Sequence, residues 1–160
     1  MGGGSGQESL CGGVRLMSRA GALNTIDTLL ATVSDPTFTA IVRGEPLSIA
    51  GSPTAAFFLT SRASEFLTFS DASSITTITI RVYFRFQDPQ DVRETLEEDM
   101  WDCMVNVPSA LRGDSTLSGN VTDLQIGTST TGYISIGGIA YRTIDFPLEL
   151  EILGEVTIAP

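Results

Sequence analysis

The chain contains no histidine, and its nine Lys+Arg positions are all arginine, so lysine is absent too. Without histidine, the commonest general base near neutral pH, the commonest metal ligand and any Ser-His-Asp arrangement are excluded together. Without lysine, Schiff-base and Ser-Lys chemistry are excluded, and the serine-rich segments hold nucleophiles with nothing to activate them. Positive charge is scarce: 9 basic residues against 19 acidic ones give a net charge of −10. A nucleic-acid groove needs clustered positive charge to displace counterions, and this balance argues against one. There are only two cysteines, Cys11 and Cys103, which do not make a secreted disulfide framework. Cys103 has apolar helical neighbours and reads as a small buried hydrophobe. Long hydrophobic runs are missing as well. Nothing approaches the roughly 18 apolar residues of a membrane span, and the opening MGGGSGQESLCGG has no apolar signal core. Cytosolic synthesis and no membrane partner are the expectations.

What remains is an ordinary folding composition, 42% hydrophobic and 18% charged. At 160 residues a single domain can bury about two-thirds of its unfolded surface. Residues 1–17 read as a flexible glycine-rich arm, and residues 18–160 as one domain.

The most informative stretch runs from Ile75 to Gly113. Ile78, Ile80, Val82, Phe84 and Phe86 alternate with Thr77, Thr79, Arg81, Tyr83 and Arg85, which predicts a strand with one buried and one wet face. Asp88-Pro89 then predicts a helix start: an aspartate to cap free N–H groups, and a proline with no N–H to leave unpaired. Val92, Leu96, Met100, Met104, Val107 and Leu111 form one apolar stripe. Pro108 should kink or loosen the last turn, and Gly113 is a natural stop. Trp101 falls beside the stripe: a core-edge residue is the expectation and an interface anchor the alternative.

Upstream, the segment from Ser18 predicts an amphipathic helix, with Leu23, Ile26, Leu29, Leu30 and Val33 on one face. It should end before Asp35-Pro36. Extended pieces follow at Thr37–Arg43, Thr54–Thr60 and Glu65–Phe69, with Asp71–Ser74 expected as a loop. The apolar AAFFLT reads as a strand covered on both faces. Downstream, Val121–Gly127 is a modest strand, and Gly137-Gly138 joins a hairpin. Ile144, Phe146, Leu148, Leu150 and Ile152 alternate through a last strand. Pro147 within it favours an edge, a bulge or a strand end. Together these predict an α+β fold: a two-layer sandwich of a mostly antiparallel sheet with two main helices on one face. The other face is either solvated or covered by another copy.

Candidate chemistry is thin. Glu97, Glu98 and Asp99 are consecutive on a helix and point apart, as a solvated acidic face does. Asp123, Asp145, Glu149 and Glu151 lack the spacing of a calcium loop, and GYISIGGIA lacks the pattern of a phosphate cradle. No catalytic, metal or cofactor residue is expected, and no cofactor. The remaining candidates are for protein contact. Arg81 and Arg85 flank Tyr83 on the wet face of the first long strand. That is either a surface charge ladder or an interface, where Arg and Tyr are favoured anchors. Asp145 and Glu149, on the wet face of the last strand, complete the set.

The RVYFRF strand, the helix opening DPQDVRETLEEDMWDCM, the phrase LRGDSTLSGNVTDLQI and the closing FPLELEI together resemble tail terminator proteins of long-tailed bacteriophages. The resemblance follows the order of elements over about residues 18–153, and its most specific passage is Leu111–Val121. It implies an α+β domain assembling as a homohexameric ring. The ring would sit at the head-proximal end of the tail tube, stop its polymerisation, and meet the head–tail connector protein. Expected partners are then other copies of the chain, the tail tube protein, the connector, and DNA that passes through the lumen without specific binding. The expected location is the virion. A head–tail connector, neck or minor capsid protein is the alternative. The glycine-rich arm before Ser18 departs from that family's usual start near its first helix.

Overall fold

The computed structural model describes residues 19–66, 71–86 and 90–155. The arm before Ser18 and the expected Asp88-Pro89 helix start lie outside those residues. Helix α1 spans Arg19–Ala31. Ala22, Ile26 and Leu30 recur every four residues and are buried, as is Val33 just beyond the last turn. One stripe therefore faces inward, and burying each large aliphatic side chain in it contributes about 2 kcal/mol.

Four further elements carry the sheet's first half and its helix: β1 (Ala40–Arg43), β2 (Thr54–Phe66), β3 (Asp71–Arg85) and α2 (Gln90–Arg112). β4 (Asp123–Ile126), β5 (Thr130–Ile136) and β6 (Ile139–Glu155) complete it. The strand order is β1-β2-β3-β6-β4, with β5 also on β6. Among the described residues only β1 and β2 run parallel, and every other pair is antiparallel. Both helices pack on one face, where Ile26, Leu30, Met100, Val107 and Leu111 meet Phe57, Ile80, Val82, Ile144, Phe146 and Leu148 in one core. The fold is the expected α+β sandwich.

Strand lengths depart from expectation. Asp71–Ser74 is strand and not loop, because β3 continues to Asp71 paired with Glu155 of β6. β2 likewise continues past Thr60 to Phe66. A bulge between Leu59 and Ser61 makes this possible. It inserts Thr60, whose hydroxyl meets that of Thr79 at 2.6 Å, and it leaves Leu59 (opposite Ile78) and Arg62 (opposite Thr76) on the helix side. A bulge absorbs one residue without flipping the strand beyond it. At the other end β1 is shorter than the expected Thr37–Arg43. It covers β2 only from Thr54 to Phe57, so AAFFLT is central at its start and lies on an open edge by Leu59, which is 66% exposed.

Pro147 explains why the far side of β6 carries two short strands instead of one. Its carbonyl accepts from Gly127 N–H at 2.8 Å. In an antiparallel ladder a residue's N–H and C=O point to the same neighbour. The donor that proline lacks is therefore missing on that side. β4 pairs Leu148–Glu151, β5 pairs Ile139–Asp145, and the break falls opposite the proline. The β5–β6 turn has Gly137 and Gly138 at φ 60° and 78°, the two positive values that a tight hairpin demands.

In α2 the buried stripe is Leu96, Met100, Cys103, Val107 and Leu111, with Met104 half-buried; the side chain of Val92 lies outside the described set. Pro108 does not end the helix, which continues to Arg112. Trp101 is not at the core edge: it is 73% exposed on the outer side. After the helix, Leu117, Ser118 and Gly119 all take positive φ (47°, 59° and 81°), a costly run for non-glycine residues. Asp114 holds it. Its carboxylate accepts from Ser118 N–H at 2.8 Å, and the Thr116 hydroxyl accepts from Gly119 N–H at 3.2 Å. Leu117 and Val121 are thereby driven into the core.

Candidate protein interface

The five residues singled out from sequence share the sheet face opposite the helices. Arg81 and Asp145 are directly cross-strand and form a two-pronged ion pair, Nε to Oδ1 at 2.7 Å and Nη2 to Oδ2 at 2.9 Å. The Arg81 guanidinium also lies 5.4 Å from the Phe58 ring centroid. Its pKa is raised, first by the hydrogen bond to Asp145, against the opposing effect of burial. Glu149 stands opposite Thr77, four residues along β6 from Asp145, and is exposed. Arg85 lies four residues the other way along β3, also exposed, with its backbone N–H on Ser52 Oγ at 3.0 Å. At about 3.3 Å per strand residue, each is about 13 Å from the central pair.

Tyr83 is a correction to the expectation of a wet face. It is 1% exposed, packed edge-on against Tyr141 with ring centroids 6.3 Å apart. Ala56 joins them, and Val42, Ile49, Ile134, Ile136 and Ile139 close over the group. Burial raises the phenol's pKa. The face is therefore two surfaces: an apolar patch roofed partly by Ile49 of the β1–β2 connection, and a polar ladder running from Arg81–Asp145 towards Glu149. Of the five, the structure brings together Arg81 and Asp145, with Tyr83 beside Arg81, and leaves Arg85 and Glu149 apart.

Two further surfaces lie outside those five residues. The first is a groove of about 590 Å³ on the helix side, where β2, β3 and β6 run out beyond α1. Leu23, Leu59, Ile78, Leu150 and Ile152 form its floor and walls, and Arg19, Arg43 and Arg62 stand around it. Its residues come from five elements, so no local pattern announces it; the only hint is Leu59 at the end of an apolar run. The second is the outer face of α2, where Trp101 (73%) and Val105 (56%) are exposed one turn apart. Glu94, Glu98 and Asp102 are exposed on the same helix.

The helical acids lie in different surroundings. Glu97 receives Arg142 Nη1 at 2.9 Å on both oxygens, Glu98 is exposed, and Asp99 has a raised pKa, chiefly from desolvation and then from Asp102. Among the described residues no three His, Cys, Asp or Glu side chains gather as metal ligands, and no helix is long and apolar enough to cross a membrane. Compared with protein-family models and with curated proteins, the chain matches none.

Proposed function

We propose that this chain is a structural virion protein. Six copies form a ring at the head-proximal end of a phage tail tube, stop tube polymerisation, and join the tail to the head connector. The observation that carries this reading is the open edge of β2. From Phe58 to Phe66 no strand covers it among the described residues, because β1 ends opposite Phe57. Soluble monomers blunt or cover such edges, since an uncovered ladder recruits another chain. Here the edge carries an exposed Leu59 and continues into strands that outrun the helix layer. A subunit built for repeated lateral contact has use for such an edge. The order of elements and the Asp114–Val121 turn agree with the resemblance to tail terminators. A net charge of −10 suits a lumen through which DNA slides without sticking.

The test mixes the purified full-length chain with assembled tail tubes and follows mass by light scattering and tube ends by negative-stain microscopy. Six-fold rings on one end of each tube, with tube growth arrested, are the expected result. Persistent monomers beside tubes that keep growing contradict the proposal. Twelve-fold rings that bind the portal and ignore tubes would place the chain in the neck.

A further inference from the structure

The groove and the outer face of α2 are complementary in charge, and each has an apolar centre. The groove is apolar inside and is surrounded by three of the nine arginines in a strongly acidic chain. Arg43 is partly engaged, bonding Asn24 and lying 3.5 Å from Asp27. Arg19 and Arg62 have no ion pair among the described residues. Such a site selects an occupant with an apolar tip and acidic flanks, because like charges brought together at a desolvating contact repel. The α2 face has that composition: Trp101 and Val105 project one turn apart, and Glu94, Glu98 and Asp102 accompany them. Trp is the residue most enriched at the energetic centre of interfaces. A groove of about 590 Å³ is within the range that encloses a ligand larger than an indole.

We propose that Trp101 of one copy seats in the Arg19–Arg43–Arg62 groove of the next. The acidic residues of α2 would meet the arginines around it. Knob and groove are different surfaces of one chain, and the contact is head-to-tail when each surface engages a different neighbour. Contacts of that kind close into a ring when the rotation per subunit permits. The inference rests on the ring reading above and names the contact that builds the ring.

Two variants at exposed positions test it, Trp101→Asp (knob lost) and Leu59→Asp (groove lost), each checked for unchanged circular dichroism and melting. Wild-type chain at on the order of 1 mM, where even a weak contact is populated, is expected to associate beyond a dimer. Each variant alone is expected to stay monomeric. An equimolar mixture of the two keeps one intact knob and one intact groove. It is expected to stop at a heterodimer of doubled mass; with wild type going beyond a dimer, this separates a head-to-tail contact from a reciprocal two-fold one, which stops wild type at a dimer. Charge reversal adds a second arm: Arg62→Glu weakens association at least tenfold, and Glu98→Arg in the same chain restores part of it. Wild-type chain that stays monomeric at that concentration overturns the contact. So do variants that associate like wild type, or a chain lacking residues 1–18 that loses association while Trp101→Asp does not. The two readings fail separately. If Trp101→Asp still caps tubes with six-fold rings, only the contact is wrong. If the knob-and-groove oligomer forms and ignores tubes, only the function is.

Discussion

Among single residues, the Arg81–Asp145 pair shows what a polar sheet face can hold without a partner. Both side chains are about a quarter exposed (23% and 29%), so water screens the attraction, while two parallel hydrogen bonds fix the geometry. A double-mutant cycle with Arg81→Met and Asp145→Asn should give a coupling of about 1 kcal/mol in denaturant unfolding; a coupling near zero would mean the pair is ornamental. Cys103 makes a prediction with a definite pH window. Burial pushes its thiol from the ordinary 9.0 up to about 12, so above pH 9 the unfolded chain releases a proton that the folded chain retains. The folded-state pKa is raised. Its stabilising effect is whole below pH 9 and is lost as the pH rises towards 12, at about 1.4 kcal/mol per unit. The alkaline loss of stability should therefore be shallower in Cys103→Ala than in wild type. Equal slopes by denaturant titration between pH 9 and 11 would contradict the burial assigned to this thiol.

Among elements, α1 is locked to the turn after α2 by a close approach. A Cβ on Gly21 would lie 2.5 Å from Asn120 Oδ1. Asn120 is buried and its amide donates to the Leu117 carbonyl at 2.9 Å, so it has little room to yield. Gly to Ala inside a helix ordinarily adds about 1 kcal/mol. Here Gly21→Ala should instead lower stability by about 1–3 kcal/mol, the range for overpacking; a raised melting temperature would show that Asn120 moves aside. The same elements show what was legible in advance. The stripe of α2 and the alternation of β3 and β6 were readable because each is a local period with one buried side. Cys103 was readable from its apolar neighbours. The lengths of β2 and β3 were not, since Asp71–Ser74 is polar and extends only because β6 runs alongside it. The burial of Tyr83 was hidden for a similar reason, since its cover comes from residues far away in the chain. Trp101 was misplaced because an aromatic beside a stripe usually turns in, and here it faces out. The groove had no local signature at all. It exists only once the bulge at Thr60 has set Leu59 and Arg62 on the side of Ile78 and Ile152.

For the whole molecule, the sheet is longer than the helices that cover it. The strands from Phe58 to Phe66, Asp71 to Thr77 and Glu149 to Glu155 extend together, and their helix side holds the groove. On the described residues, one molecule thus presents an uncovered strand edge, an arginine-ringed apolar groove, a projecting tryptophan and a polar sheet face. Its charge is strongly of one sign, and it lacks the two residue types most used for catalysis by proton transfer and covalent amines. These properties suit a part whose work is contact. Cryo-electron microscopy of tailed particles assembled in cells that make this chain tests the proposal most directly. The account predicts six copies in a ring between the last tube layer and the head connector. Particles whose head–tail junction is resolved and contains no copy of the chain would contradict it.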